Sequence, residues 1–205
     1  MGVTRLDGDG GRGALADVLE DEHNVLVRAS STAAGEVTAS LVPSEAALDR
    51  TNVVGVSYTR SPDEWLEDWR RAVGRLPERC TVVCMGESTR SAAGGASMGP
   101  AADVTVVGEN PEDLTGLGIT LGEQFSTGGP TVLSFDSLTA LLQYVDEKLA
   151  FRFLHSLTGR VAGNDARAHY LLDPDAHDDR TVATLTELFD ATVEPDEDGW
   201  TVRTR

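Results

Sequence analysis

Thr131–Gly159 reads TVLSFDSLTALLQYVDEKLAFRFLHSLTG, and the fold class turns on this stretch. Thr131–Phe135 is an uninterrupted apolar-rich run of strand length, and Asp136-Ser137 makes a sharp junction. Beyond it Leu138, Leu141, Leu142, Val145, Leu149, Phe153 and Leu157 recur every three or four residues. That period predicts one long amphipathic helix from about Leu138 to Leu157, with Phe151 and Leu154 widening its apolar stripe. Leu142 and Leu149 are therefore expected inside the core. A buried strand that feeds straight into a helix is the unit of a parallel sheet covered on its faces.

Working outward, the same alternation recurs. Asn24–Ala29 (NVLVRA), Thr51–Tyr58 (TNVVGVSY), Thr81–Met85, Val104–Val107 and Ala168–Leu172 read as further strands. Helices are expected at Gly13–Glu22, from Glu36, from Asn110 towards Phe125, and over Thr181–Phe189. The clearest helix start is Ser61-Pro62-Asp63-Glu64, where Ser61 can cap, Pro62 takes the first helical position and Glu64 closes a capping box. Trp65, Leu66, Trp69, Ala72, Val73 and Leu76 then make an apolar face ahead of Pro77. Thr192–Val193 and Trp200–Arg203 read as a closing hairpin. The expected architecture is α/β, a mostly parallel sheet with helices on both faces and an antiparallel C-terminal edge. Residues 1–12 read as a flexible N-terminal arm, and residues 13–205 as a single domain.

Charge is the strongest compositional signal. The chain of 205 residues carries 34 acidic and 17 basic side chains, a net −17, and Lys148 is its sole lysine. Such a surface repels nucleic acid and anionic lipid, so neither is an expected partner. The acidity is spread along the chain, which favours solvation in concentrated salt over an acidic tail made for a basic partner. It resembles the proteins of extreme halophiles, and implies a melting temperature that rises from dilute buffer to molar KCl. No apolar run reaches the roughly 18 residues of a membrane span, and no secretory h-region is apparent, so the cytoplasm is the expected compartment. Cys80 and Cys84 share one strand and lie about 13 Å apart, too far for a disulfide. Both are expected as buried thiols.

The segment TVLSFDSLTALL, the turn Gly159–Asp165 and the strand AHYLL resemble the RecA-like ATPase core, and within it the KaiC-like branch. The pattern extends over roughly residues 24–193. The LLQYVD and AHY segments are also similar to a family of uncharacterised halophile proteins, from which no function follows. The resemblance implies a RecA-like fold, with Asp136 in the Walker B position that holds magnesium. It also implies a phosphate loop after the first strand, at Ser30–Gly35 (SSTAAG). A P-loop needs glycines to let backbone N–H groups wrap the phosphates, then Lys and Ser or Thr. Here Gly35 is followed by Glu36 and Val37, and Glu36 would repel phosphate. The family's glutamate after its second strand has no counterpart in Ser57-Tyr58-Thr59-Arg60.

What the resemblance implies is therefore a non-hydrolysing pseudo-ATPase that binds no cofactor and acts as a regulator or scaffold, through a protein partner or self-association. The alternative is a nucleotide-binding or weakly active ATPase that uses Mg-ATP. Its candidate cofactor-binding residues are Ser30, Ser31, Thr32, Gly35 and Asp136, with Asp136 as the metal ligand; an ordinary polar loop is the plainer account of Ser30–Thr32. Without a phosphate grip beside it, Asp136 is expected to be a remnant whose loss costs little stability. His155, His169 and His177 with Asp173, Asp175, Asp178 and Asp179 lack the spacing of a metal motif. Trp65 and Trp69, one helical turn apart, read as core or interface.

Overall fold

The computed structural model describes residues 2–7, 14–30, 41, 48–86, 103–196 and 199–205. In chain order the elements are β1 (Gly2–Asp7), α1 (Ala14–Val18), β2 (Asn24–Arg28), β3 (Asn52–Ser57), α2 (Pro62–Val73), β4 (Arg79–Met85) and β5 (Asp103–Glu109). Then come α3 (Leu114–Phe125), β6 (Thr131–Asp136), α4 (Leu138–Tyr144), α5 (Glu147–Gly163) and β7 (Arg167–Leu172). A 3-10 turn at Pro174–Ala176, α6 (Asp179–Thr186), β8 (Ala191–Asp196) and β9 (Gly199–Thr204) complete the series.

The strands form one sheet in the order β1-β9-β8-β2-β7-β6-β3-β4-β5. From β8 to β5 every neighbouring pair is parallel, whereas β8–β9 and β9–β1 are antiparallel. The central strands β3 and β6 are buried along their whole length, as parallel strands covered on both faces must be. This is the expected α/β architecture with its antiparallel C-terminal edge. One expectation fails at that edge. Residues 2–7, read as part of a loose arm, form β1 along β9, from Gly2 opposite Thr204 to Asp7 opposite Gly199.

Alternation along the strands divides the core. On one face α3, α4, α5 and α6 cover Leu26, Val54, Val56, Leu133, Phe135 and Tyr170. On the other, α2 packs Trp65, Leu66, Trp69 and Val73 over Val53, Cys80, Val82 and Cys84. Leu15 and Leu19, on and just after α1, cover Val25, Val27, Val193 and Val202. The two indoles stack at 5.3 Å between centroids. Trp65 lies so close to the sheet that a Cβ on Gly55 would come within 2.5 Å of its ring, which is why β3 carries glycine there. Helix α2 starts with the expected capping box of Ser61 and Glu64. It stops sooner than Pro77, at Gly74, whose φ of 95° only glycine adopts freely. Cys80 and Cys84 are buried free thiols, and burial pushes the Cys80 thiol up to about 12.

The long helix expected over Leu138–Leu157 is two helices. Val145 and Asp146 are extended, and the Asp146 carboxylate accepts the Leu149 N–H at 2.8 Å, capping α5. The break resets the helical phase. Ala150, Leu154, Leu157 and Val161 bury, while Leu149 turns outward and is 41 % exposed. Leu142 is only partly buried against the core. Asp at an N-cap followed by Glu is a start signal, hidden here under an apolar period that runs through it.

Candidate functional site

Asp136 ends β6 and lies directly opposite Ser57, the last residue of β3. The pairing continues past the strands, for the Tyr58 N–H donates to the Asp136 carbonyl at 2.9 Å. Ser57 then shapes the chain that leaves β3: its Oγ donates to the Arg60 carbonyl at 2.9 Å and accepts from the Arg60 N–H at 3.0 Å. This tight turn aims Arg60 back across the strand ends. Its Nη2 donates to Asp136 Oδ2, and its Nη1 donates to Asp68 Oδ2 on α2 at 2.6 Å. Arg71 Nη1 reaches the other oxygen of Asp68 at 2.7 Å. Arg71 Nη2 also reaches Glu67 Oε1 at 3.4 Å, so Asp136, Arg60, Asp68, Arg71 and Glu67 form one chain of alternating charge.

The Asp136 side chain is 11 % exposed and that of Arg60 is 30 % exposed, so the contact is screened less than a surface pair. Burial alone would lower the Arg60 pKa; Asp136 and Asp68 outweigh it and hold the guanidinium above its ordinary value. Hydrogen bonding from Arg60 holds the Asp68 carboxyl below the usual carboxylate range. Asp136, expected as a remnant at the end of its strand, accepts a hydrogen bond from Arg60. The following helix is capped by Ser137, whose Oγ accepts the Ala140 N–H at 3.2 Å. The Asp136-Ser137 peptide bond is cis.

Beside this pair lies a cavity of about 20 Å³, whose lining includes Val27, Arg60, Ser134, Asp136, His169 and Leu171. It has room for about one water molecule. His169 on β7 sits opposite Ser134 on β6, is 6 % exposed, and its Nε2 has no hydrogen-bond partner among the described residues. Burial lowers its pKa from 6.5 to about 4, so the imidazole is neutral at ordinary pH. Periodicity could mark His169 as a strand residue, but not its place beside Asp136, which follows from the pairing of β6 with β7.

The other candidate residues are placed as follows. Ser30 is exposed, two residues beyond the end of β2, and β7 lies between its strand and that of Asp136. Ser31, Thr32, Gly35 and Glu36 lie outside the described residues. His155 stacks on Phe151 at 6.4 Å on the exposed side of α5, and His177 reaches Thr139 Oγ1 at 3.3 Å. Among the described residues no three His, Cys, Asp or Glu side chains gather as a metal site. No helix of the described residues is long and apolar enough to cross a membrane. Arg60 is the participant that sequence reasoning missed. The stretch Ser57–Arg60 holds no acid, and the informative residue there is a base.

Fold and site together define an α/β protein with a mostly parallel sheet and an internally paired carboxylate at the strand ends. The chain belongs to DUF7504, a family of unknown function whose sequence model matches residues 23–195. Nothing among curated proteins matches it significantly. Among solved structures it is similar to a protein of Pyrococcus horikoshii OT3 determined in a structural study, with TM-score 0.58 and 12 % identity, covering 91 % of this chain and 89 % of that one. A second similar structure is an uncharacterised P. horikoshii protein in complex with an unknown peptide, with TM-score 0.58 and 12 % identity over 92 % and 88 % of the two chains. At that identity the likeness bears on the fold alone.

Proposed function

We propose that this protein is a non-hydrolysing relative of the RecA-like, KaiC-like ATPases, serving as a regulator or scaffold through contacts with other proteins. The observation that carries this reading is the hold of Arg60 on Asp136. A carboxylate at the end of a buried strand is where such enzymes keep magnesium. Here a guanidinium of the same chain supplies the positive charge. A divalent cation on Asp136 would have to displace Arg60 or sit beside it against like-charge repulsion.

Other features support the reading. Ser30 follows β2 and Asp136 ends β6, parallel strands whose C-terminal ends lie at the same edge of the sheet, the edge where open α/β sheets place ligands, so a nucleotide-binding ancestry is consistent with the topology. Glu36 stands where that ancestry would need a lysine.

Calorimetric titration of MgATP into the protein in molar KCl tests this, with Asp136→Ala as control. No binding heat is expected from either. Micromolar binding that Asp136→Ala abolishes would instead make the protein a nucleotide-binding one.

A further inference from the structure

Several basic residues of this acidic chain are paired with carboxylates from within. Arg28, Arg60, Arg71, Arg75 and Arg205 each reach a carboxylate oxygen at close range. Helix α5 stands out by its local balance of charge. It carries Lys148, Arg152 and Arg160 against a single acid, Glu147, in a protein of net charge −17. Glu147 is engaged at the helix start by the Thr181 hydroxyl at 3.1 Å. Lys148 and Arg152 are exposed and have no ion-pair partner among the described residues. With 34 acidic residues in the chain, this is a local reversal of charge.

Apolar surface coincides with it. Leu149 is 41 % exposed beside Lys148, and Phe153, one turn on, is half-buried next to Gly118 of α3. Ile119 of α3 is 60 % exposed, its side turned out because Leu117 and Leu121 take the inner face. Arg160 spans the two helices, donating to the Gly118 carbonyl at 2.9 Å, so both elements are tied into one surface.

We infer that the outer face of α3 and α5 docks an acidic, amphipathic segment of a partner protein, its carboxylates on Lys148 and Arg152 and its apolar side on Ile119, Leu149 and Phe153. This rests on the reading of the protein as one that acts through protein contacts, and names the surface and the partner's chemistry. Charge complementarity selects the occupant. A narrow acidic segment can contact Lys148 and Arg152 without covering the acidic surface elsewhere on the molecule. At low ionic strength an anionic membrane or a second whole copy would bring further negative surface within the Debye length of the rest of the molecule, and be repelled. That repulsion also fixes where an acidic partner can land.

The test is fluorescence anisotropy with a fluorescein-labelled helical peptide, leucine on one face and glutamate on the other, at low and at molar KCl. Wild type should bind. The double variant Lys148→Glu/Arg152→Glu and the single variant Ile119→Glu should each weaken binding by about tenfold or more, with unchanged circular dichroism and melting temperature. Absence of binding to wild type, or equal binding by the double variant, overturns the inference. So does loss in the same variants of binding to phosphatidylglycerol vesicles, or of self-association in sedimentation, where the peptide does not bind. MgATP calorimetry on the same samples separates the two readings. If neither peptide nor MgATP binds, the docking surface alone falls; if wild type binds MgATP, the proposed function falls whatever the peptide does.

Discussion

The strand ends around Asp136 and the outer face of α5 handle positive charge in opposite ways. Arg60 is turned inward by the Ser57 clamp and is consumed between Asp136 and Asp68. Lys148 and Arg152 stand in solvent with their charge unspent on any described residue. In a chain this acidic, where an arginine goes depends on the backbone that aims it and not on the number of carboxylates on offer.

The largest expected effect lies on the inner side of α5. Leu154 is fully buried, and Leu154→Ala should cost about 2–5 kcal/mol in denaturant unfolding, through lost burial and the cavity left behind. A cost near zero would mean that α5 is not packed on the sheet as described, and the contrast between its faces would dissolve.

Next in size is a pH effect from His169. Its folded pKa, about 4, lies below the ordinary 6.5, so the unfolded chain binds the proton more readily. The stability that comes from keeping it neutral is fully present above pH 6.5, declines as the pH falls through that value, and is gone below the folded pKa. The linked loss is roughly 3 kcal/mol. His169→Phe should flatten this part of the profile of unfolding free energy against pH; a wild-type curve already flat between pH 6.5 and 4 would contradict the buried neutral imidazole.

Asp136→Ala should cost less, about 1–3 kcal/mol, because it removes a charged hydrogen bond but leaves Arg60 partly exposed and still paired with Asp68. The smallest effect is expected on the outer side: Leu149→Ala should change stability by no more than about 0.5 kcal/mol, as surface substitutions do. If Leu149→Ala matches Leu154→Ala in chemical denaturation, the outer face is core and not a docking surface.

These positions also mark what the sequence makes legible. Strands such as TVVCM and TNVVGVSY announce themselves because both faces of a parallel strand are covered, and Ser61–Glu64 announces a helix because capping is local chemistry. Leu149 misleads because a helical period can run unbroken through a two-residue break that Asp146 creates by capping α5. β1 is hidden because its partner β9 lies at the far end of the chain, and its own alternation is short and polar. The site was half legible. Asp136 can be picked out by its place at a strand end. Its partner cannot, since Arg60 is 76 residues away and the pairing depends on β3 lying beside β6.

The central claim is that Asp136 serves Arg60 and not a metal-bound nucleotide. A double-mutant cycle of Arg60→Ala and Asp136→Ala, followed by thermal unfolding in molar KCl with and without millimolar MgATP, tests it most directly. The account predicts that the two substitutions are coupled, the double variant losing less than the sum of the singles, and that MgATP leaves every melting temperature unchanged. Additive substitutions, together with a MgATP-dependent rise in wild type that Asp136→Ala removes, would contradict it.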